Sequence, residues 1–322
     1  MNIKKITKNK KTYYINKKTR KNIKSKKILN HIHNLKIPPN YKNVKINHNI
    51  NDKILAIGED NAGRKQYIYN KKFTEKQKIQ KFNNLLVFGK YISKIKKEIK
   101  FNLNSNKPIY NKDKIISIVL YLIDYCNFRV GNNEYKLKYN TYGTTTLKKD
   151  HIIFKKNEVE IKFIGKKHVE NKSAIKNKNI INLLNTLCMY NKNKEYLFYY
   201  VNNNKLIPIN SSHINSFIKK YDDRLTVKMF RTWNGNTILL NTLIKMDKPK
   251  DKKEIKKNII YANKYVASCL HNTPMVSKKS YVNNIIYDLY INDNELFYRY
   301  VRLYYKNNID TFFYKLLQKY YN

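Results

Sequence analysis

Near residue 75 the apolar residues of this chain change their spacing, from every second position to every third or fourth. Ahead of that point, Ile54-Leu-Ala-Ile57 and Lys65-Gln-Tyr-Ile-Tyr69 read as two strands around the turn Glu59-Asp-Asn-Ala-Gly63. Beyond it, Ile79, Phe82, Leu86, Ile92, Ile95 and Ile99 fall on one face of a helix. Thr74-Glu-Lys-Gln77 has the form of a capping box that would open this helix. The expected division is therefore a first domain over 1–75 and a second over 76–322. Further on, the pattern predicts a buried helix over 113–128, then a β-rich stretch at Thr144–Leu147, His151–Phe154 and Val159–Phe163. Gly165-Lys166 makes a turn before another candidate strand, and from about residue 176 the period is helical to the end. Residues 1–30 are rich in Lys and Asn, with either a mobile tail or short strands as their expected form and no role that the residues define. The fold class predicted is α+β: a small β-rich N-terminal domain, and a larger, mainly α-helical domain with a three-stranded antiparallel sheet.

Charge sets the class of partner. The 322 residues hold 67 Lys and Arg against 22 Asp and Glu, a formal net charge of +45. A basic surface of that size attracts a polyanion, because Lys and Arg displace counterions from phosphates. The crowding of Lys, Asn, Ile and Tyr also fits a coding bias that supplies part of the lysine. That bias makes the exceptions informative. Arg occurs only at 20, 64, 129, 224, 231, 299 and 302, and Gly only at 58, 63, 89, 131, 143, 165 and 235. Where Arg persists among lysines, a planar two-pronged donor has a use that an ammonium does not meet.

Several chemistries lack their residues. There is no Gly-x-x-x-x-Gly-Lys-Ser/Thr phosphate loop and no His-Glu-x-x-His pair. Cys126, Cys188 and Cys269 are far apart and read as free thiols. His31-x-His33, in a basic lead, reads as incidental. The scattered carboxylates argue against a two-metal nuclease. The N-terminus lacks the apolar core of a signal peptide. The longest apolar run, Ile115 to Phe128, is too short to span a bilayer and contains Asp124. A soluble intracellular protein without membrane attachment, nucleotide, metal or other cofactor is expected. Strand cleavage by such a chain would be covalent, with cations stabilising the phosphorane.

Five segments fit that chemistry: Thr273-Pro-Met-Val-Ser-Lys-Lys-Ser-Tyr281, Phe128-Arg-Val-Gly131, Lys228-Met-Phe-Arg-Thr-Trp233, Gly165-Lys166, and His271-Asn272. With Ile57-Gly-Glu-Asp-Asn-Ala-Gly-Arg-Lys-Gln-Tyr-Ile-Tyr69, Gly143-Thr-Thr-Thr-Leu-Lys148 and Ile161-Lys-Phe-Ile-Gly-Lys166, the chain resembles the poxvirus type IB DNA topoisomerases from about residue 54 to 290. Singly these blocks are weak signals; in the family's order and spacing they are strong, and Arg64, Arg129 and Arg231 all fall inside them.

The resemblance implies an enzyme that relaxes supercoiled double-stranded DNA as a monomer clamped on the duplex, the N-terminal domain forming part of the clamp. By the same resemblance it would act in the virion and host cytoplasm. Tyr281 would attack the scissile phosphate and hold a 3′-phosphotyrosyl link, Arg129 and Arg231 would grip the non-bridging oxygens, and Lys166 would protonate the departing 5′ oxygen. The family's His directly before Thr-Pro is here Asn272, the preferred occupant of that role, with His271 one position earlier as the possible substitute. Arg64, Gln66, Tyr67, Tyr69, Tyr135, Lys228 and Asn236 match family residues at or near DNA. Tyr67 and Tyr69, two apart on a strand, would share a face toward the duplex, with a two-Tyr core face as the other reading. Asn132 and Glu134 replace family lysines, which leaves the preferred cleavage sequence open. The alternative class is a tyrosine recombinase, which uses the same catalytic groups but usually shows His-x-x-Arg where this chain has Lys228-Met-Phe-Arg231. A basic DNA-packaging protein satisfies the composition but not the motifs.

Overall fold

The Lys/Asn-rich lead enters a sheet rather than remaining a tail, because Ile3 finds buried partners in Val44, Ile46 and Ala56. A computed structural model describes residues 1–8, 11–191 and 193–321, and the chain folds into two compact units, Met1–Lys81 and Phe82–Asn322. In the first unit, β1 (Ile3–Lys8), β2 (Lys11–Asn16), β3 (Lys42–Ile46), β4 (Ile54–Glu59) and β5 (Lys65–Tyr69) form one antiparallel sheet in the order β2-β1-β3-β4-β5. Helix α1 (Lys26–Asn34) adds Ile32 to the core of this sheet. In β4 and β5, Ile57 stands opposite Tyr67 and Ile54 opposite Tyr69.

Helix α2 spans Lys71–Asn104, so it starts three residues before the Thr74 box that the sequence offered. Asn70 supplies the cap, its Oδ1 accepting the Lys72 N–H at 2.8 Å. The Thr74 hydroxyl instead donates to the Lys71 carbonyl at 2.7 Å, the back-bonding available to a threonine already inside a helix.

In the second unit, α3 (Lys112–Cys126) is followed by α4 (Asn133–Tyr139) and by the antiparallel sheet β6 (Ile152–Phe154), β7 (Val159–Ile164) and β8 (Glu170–Ile175). The sheet has three strands as expected, but its third is β8. Thr144–Thr146 forms a 3-10 turn, because its N–H groups and hydroxyls bond to the backbone of other loop residues and not to a ladder. After α5 (Lys178–Tyr190), the stretch read as helical also holds a hairpin, β9 (Tyr199–Asn202) with β10 (Lys205–Pro208). Asn203 and Asn204 both have left-handed backbones there, the requirement of a two-residue hairpin turn.

Helices α6 (Ser211–Lys219), α7 (Lys228–Ile244), α8 (Lys252–Cys269), α9 (Pro274–Ser280), α10 (Asn284–Asn292), α11 (Asn294–Tyr304) and α12 (Ile309–Tyr321) complete the unit. Its core centres on Trp233 of α7, fully buried against Phe88 and Phe313 with ring centroids at 5.6 and 4.7 Å. Gly89 permits that closeness, since a Cβ there would lie 2.7 Å from the indole and 2.6 Å from Tyr314. Helix α7 is thus held in the centre of the unit, and it carries Arg231. Among the described residues no helix is long and apolar enough to cross a membrane.

Candidate active site

The Arg129 segment is set by backbone hydrogen bonds. Helix α3 ends on Asn127, whose φ of 56° turns the chain, and Phe128 is buried edge-on against Phe163 at 4.9 Å. The Arg129 carbonyl accepts the N–H and hydroxyl of Thr144 at 2.8 and 3.1 Å, and the Val130 carbonyl accepts those of Thr145 at 2.7 and 2.8 Å. Gly131 and Gly143 let these two loops touch. A Cβ on Gly143 would sit 2.5 Å from the Gly131 backbone and 2.7 Å from the Arg129 oxygen, while Gly131 has a φ of 93°. Gly143→Ala should therefore lower stability by about 1–3 kcal/mol, the usual range for overpacking, as a drop in the thermal midpoint. An unchanged midpoint would count against this account of the loop.

Arg231 is 4% exposed. Its Nη2 donates to the Leu270 carbonyl at 2.8 Å, while Nε and Nη1 are buried without a hydrogen-bond partner. Burial pushes its pKa down to about 10, with the Arg129 charge adding to the effect and the Tyr281 phenol opposing it, so the guanidinium stays cationic at neutral pH. Unpaired buried N–H groups are costly, and a site that keeps them presents ready donors to an anion.

The ring of Tyr281 lies beside this guanidinium, its centroid 5.2 Å from Cζ of Arg231. Tyr281 caps the end of α9, its N–H donating to the Ser277 carbonyl at 3.0 Å. Burial raises the phenol pKa, but the charges of Arg231 and then Arg129 outweigh it, and the net shift is downward. Polar contacts from Arg231 and Asn272 that fall outside hydrogen-bond geometry act in the same direction.

Geometry sets His271 and Asn272 in different surroundings. Arg129 Nη2 donates to Asn272 Oδ1 at 2.7 Å, leaving Asn272 Nδ2 buried and unpartnered. His271 takes a left-handed backbone (φ 51°) and turns away, its Nε2 donating to the Cys126 carbonyl at 3.2 Å and its ring resting on Phe128. Burial, more than the nearby Arg231 and Arg129, holds the imidazole below its ordinary pKa.

Lys166 occupies the loop between β7 and β8, where Lys167 and His168 both have positive φ, and it is exposed to solvent. Partial desolvation lowers its ammonium pKa, followed by the charge of Arg129 and smaller effects of Lys167 and Lys228, with Tyr281 opposing. Lys166 thus shares the electrostatic field of Arg129 and Tyr281. Lys228, the first residue of α7, is exposed. Asn236 is fully buried, so its side chain reaches the protein backbone and not the surface: Nδ2 donates to the Tyr281 carbonyl at 2.9 Å and Oδ1 accepts the Asn283 N–H at 2.7 Å. Sequence reasoning missed this clamp on the Tyr281 loop and the Thr144-Thr145 clamp on Arg129. Consecutive threonines after a scarce glycine were the available signal for the second.

The remaining sequence-derived residues are Tyr135 and four residues of the N-terminal unit. Tyr135 is 49% exposed on α4, a helix with no buried residue, and pairs with Tyr139. In the N-terminal unit, Tyr67 and Tyr69 are 44% and 39% exposed and stack at 6.1 Å, which excludes the core-face reading. Arg64 and Gln66 both donate to Asp60 Oδ2 at 2.9 Å.

The class to which this mainly helical unit with its small antiparallel sheet belongs is identified by sequence comparison. The eukaryotic DNA topoisomerase I catalytic-core profile matches residues 70–293, and the chain belongs to this type IB DNA topoisomerase family of isomerases. The chain is similar to DNA topoisomerase 1B of Acanthamoeba polyphaga mimivirus, at 34% identity over 84% of this chain and 82% of that protein. It is also similar to DNA topoisomerase 1B of Vaccinia virus (strain Copenhagen), at 26% identity over 76% and 74% of the two chains. A match at 24% identity to DNA topoisomerase 1 of Mycosarcoma maydis covers 56% of this chain and 20% of that larger protein.

Proposed function

We propose that this protein relaxes supercoiled double-stranded DNA by reversible cleavage of one strand through Tyr281, without ATP or metal. The observation that carries the proposal is the buried Arg231, with two unpartnered N–H groups beside a tyrosine whose pKa is lowered by two guanidinium charges. The Tyr281 hydroxyl releases its proton to solvent water and its oxygen bonds to phosphorus, while the bond to the 5′ oxygen breaks and that oxygen takes a proton from Lys166. Arg129 and Arg231 neutralise the charge that grows on the non-bridging oxygens, and Asn272 Nδ2 adds a neutral donor. Such preorganised donors aimed at developing charge are typically the largest catalytic contribution. A lysine with a lowered pKa gives up its proton more readily, which suits a general acid. The phosphodiester energy is kept in the tyrosyl ester, so religation by the 5′ hydroxyl reverses each step and an intervening strand rotation changes the linking number.

All five groups come from one chain, which supports action by a monomer. Arg64, Gln66, Tyr67, Tyr69, Tyr135 and Lys228 would contact DNA, with stacked exposed rings as the supporting feature in the N-terminal unit. Asn236 would serve by fixing the Tyr281 loop.

Plasmid relaxation in EDTA without nucleotide tests the reading: positive and negative supercoils should both relax, and a strict need for magnesium or ATP would refute it. Binding should weaken steeply with salt, by about 10³–10⁵ between 50 and 200 mM if six to ten phosphates are neutralised. A flat salt response in a filter-binding titration would remove the electrostatic basis. Asn272→Ala should slow single-turnover cleavage more than His271→Ala, since only Asn272 faces Arg129. The opposite order would assign the role to the imidazole.

A further inference from the structure

A group of charged and polar side chains outside the site joins the segments that carry its two arginines. Lys96 of α2 stands between two carboxylates, 2.8 Å from Asp310 in the first turn of α12 and 3.4 Å from Asp124 near the end of α3. The two acids are largely enclosed, with side chains 18% and 23% exposed. The second oxygen of Asp310 accepts the indole N–H of Trp233 at 2.6 Å. Trp233 follows Arg231 by two residues on α7. The next residue, Asn234, donates to the Asp124 carbonyl at 2.7 Å and to Asn127 Oδ1 at 2.9 Å, and Asn127 is the left-handed cap two residues before Arg129.

A carboxylate at 310 does something that no neutral side chain of its size can do. It accepts from the indole with one oxygen and from the ammonium with the other, and the ammonium in turn holds Asp124. The charges support one another: the two acids keep Lys96 protonated against the penalty of its burial. Burial pushes Asp124 up, with Lys96 pulling against it and Asp310 adding to it. None of these side chains touches the reacting groups, yet the chain of bonds begins on a helix that starts 28 residues after Tyr281 and ends beside both arginines.

We infer that Asp310 is a positioning residue for the Arg129–Arg231 pair. By holding Trp233 and Lys96 it fixes α7 and, through Asn234, the end of α3, so that both guanidiniums meet the same phosphate. The inference rests on the strand-transfer reading above. Asp310→Asn keeps an oxygen for Trp233 but turns an amide N–H₂ toward Lys96. Single-turnover cleavage should fall about tenfold to a hundredfold, the scale for a misplacement near 1 Å, with DNA binding within about twofold of the parent.

The discriminating readout is a substrate whose scissile phosphate carries a methyl group in place of one non-bridging oxygen. With one anionic oxygen fewer to align, the gap between parent and variant should shrink. An equal gap on both substrates would mark a general structural defect and overturn the inference, as would cleavage at the parental rate on ordinary DNA. Trp233→Phe removes the same bond from its other end, and provides the test should Asp310→Asn not fold. The double variant should be no slower than the worse single one, because coupled residues are non-additive. Losses that multiply would show two independent roles and count against the proposal. If the unsubstituted protein formed no covalent adduct with DNA, the strand-transfer reading itself would fail, a result distinct from all of these.

Discussion

Tyr281→Phe should abolish relaxation and the covalent adduct while DNA binding stays near the level of the parent. The change deletes one oxygen, the only atom proposed to bond phosphorus, and leaves the ring to pack beside Arg231. Nothing in the Arg129–Asn272 contact depends on the lost hydroxyl, so the phosphate-binding groups remain in place. Denaturing the unsubstituted protein during reaction should trap it on the 3′ side of the break, with a free 5′ hydroxyl on the other. Peptide mapping of that adduct is a strong test in a chain with 28 other tyrosines. DNA found on any other ring would displace the assignment to Tyr281, and relaxation at the normal rate by the Phe variant would end the covalent mechanism through this residue.

Arg231→Ala should cost about 10²–10³ in the cleavage rate, the typical penalty for removing one preorganised donor to a developing oxyanion. It should also move the pH dependence. Arg231 is the largest influence holding the Tyr281 phenol below its ordinary pKa. With that charge gone, burial dominates and the pKa rises, so the limb of the profile that reports the phenolate shifts to higher pH. A pH profile of single-turnover cleavage checks the sign, and a shift to lower pH would contradict the electrostatic role. Arg231→Lys should recover little, because one ammonium cannot bond Leu270 and a phosphate with the same fork of donors. Full recovery with Lys would reduce Arg231 to a point charge.

What the sequence displayed and what it hid divide along the range of the interactions. Strands β4 and β5, helix α3 and the β6–β7 hairpin were legible because alternation or helical period is carried by neighbouring residues. Thr74 misled because a capping box and a threonine inside a helix share one local pattern, and Asn70, which in fact caps α2, lies outside that pattern. Thr144–Thr146 has strand-forming side chains, but its hydroxyls are used on Arg129, Val130 and Gly143 from a turn. Strands β1 and β2 alternate weakly among lysines, and among their described residues Ile3 is buried in the core while Tyr14 packs against it partly exposed.

In the site, the residues with reactive chemistry stood out as rare Arg or as a tyrosine after Thr-Pro. Their supports did not. Asn234 and Asp310 are ordinary residue types whose meaning comes from partners 77 to 214 residues away, and Asn236, matched by resemblance, shows its clamp on the Tyr281 carbonyl only in the fold. No periodicity encodes such pairs. The choice between His271 and Asn272 was likewise a question of backbone: a single left-handed residue at 271 turns the imidazole toward Cys126 and leaves the amide facing Arg129.

The contact between Gly131 and Gly143 also bears on how this chain can change over generations. Most surface positions can exchange Lys for Asn at little cost. These two positions follow only at a cost in stability. The obstacle to a side chain at 143 is the backbone of residues 129 and 131, so no smaller neighbour elsewhere can make room for it. Compensation, the usual escape route for a core substitution, is closed at 143, so a side chain there keeps its cost in stability. The location of Arg129 is thereby inherited through two residues that have no side chain of their own.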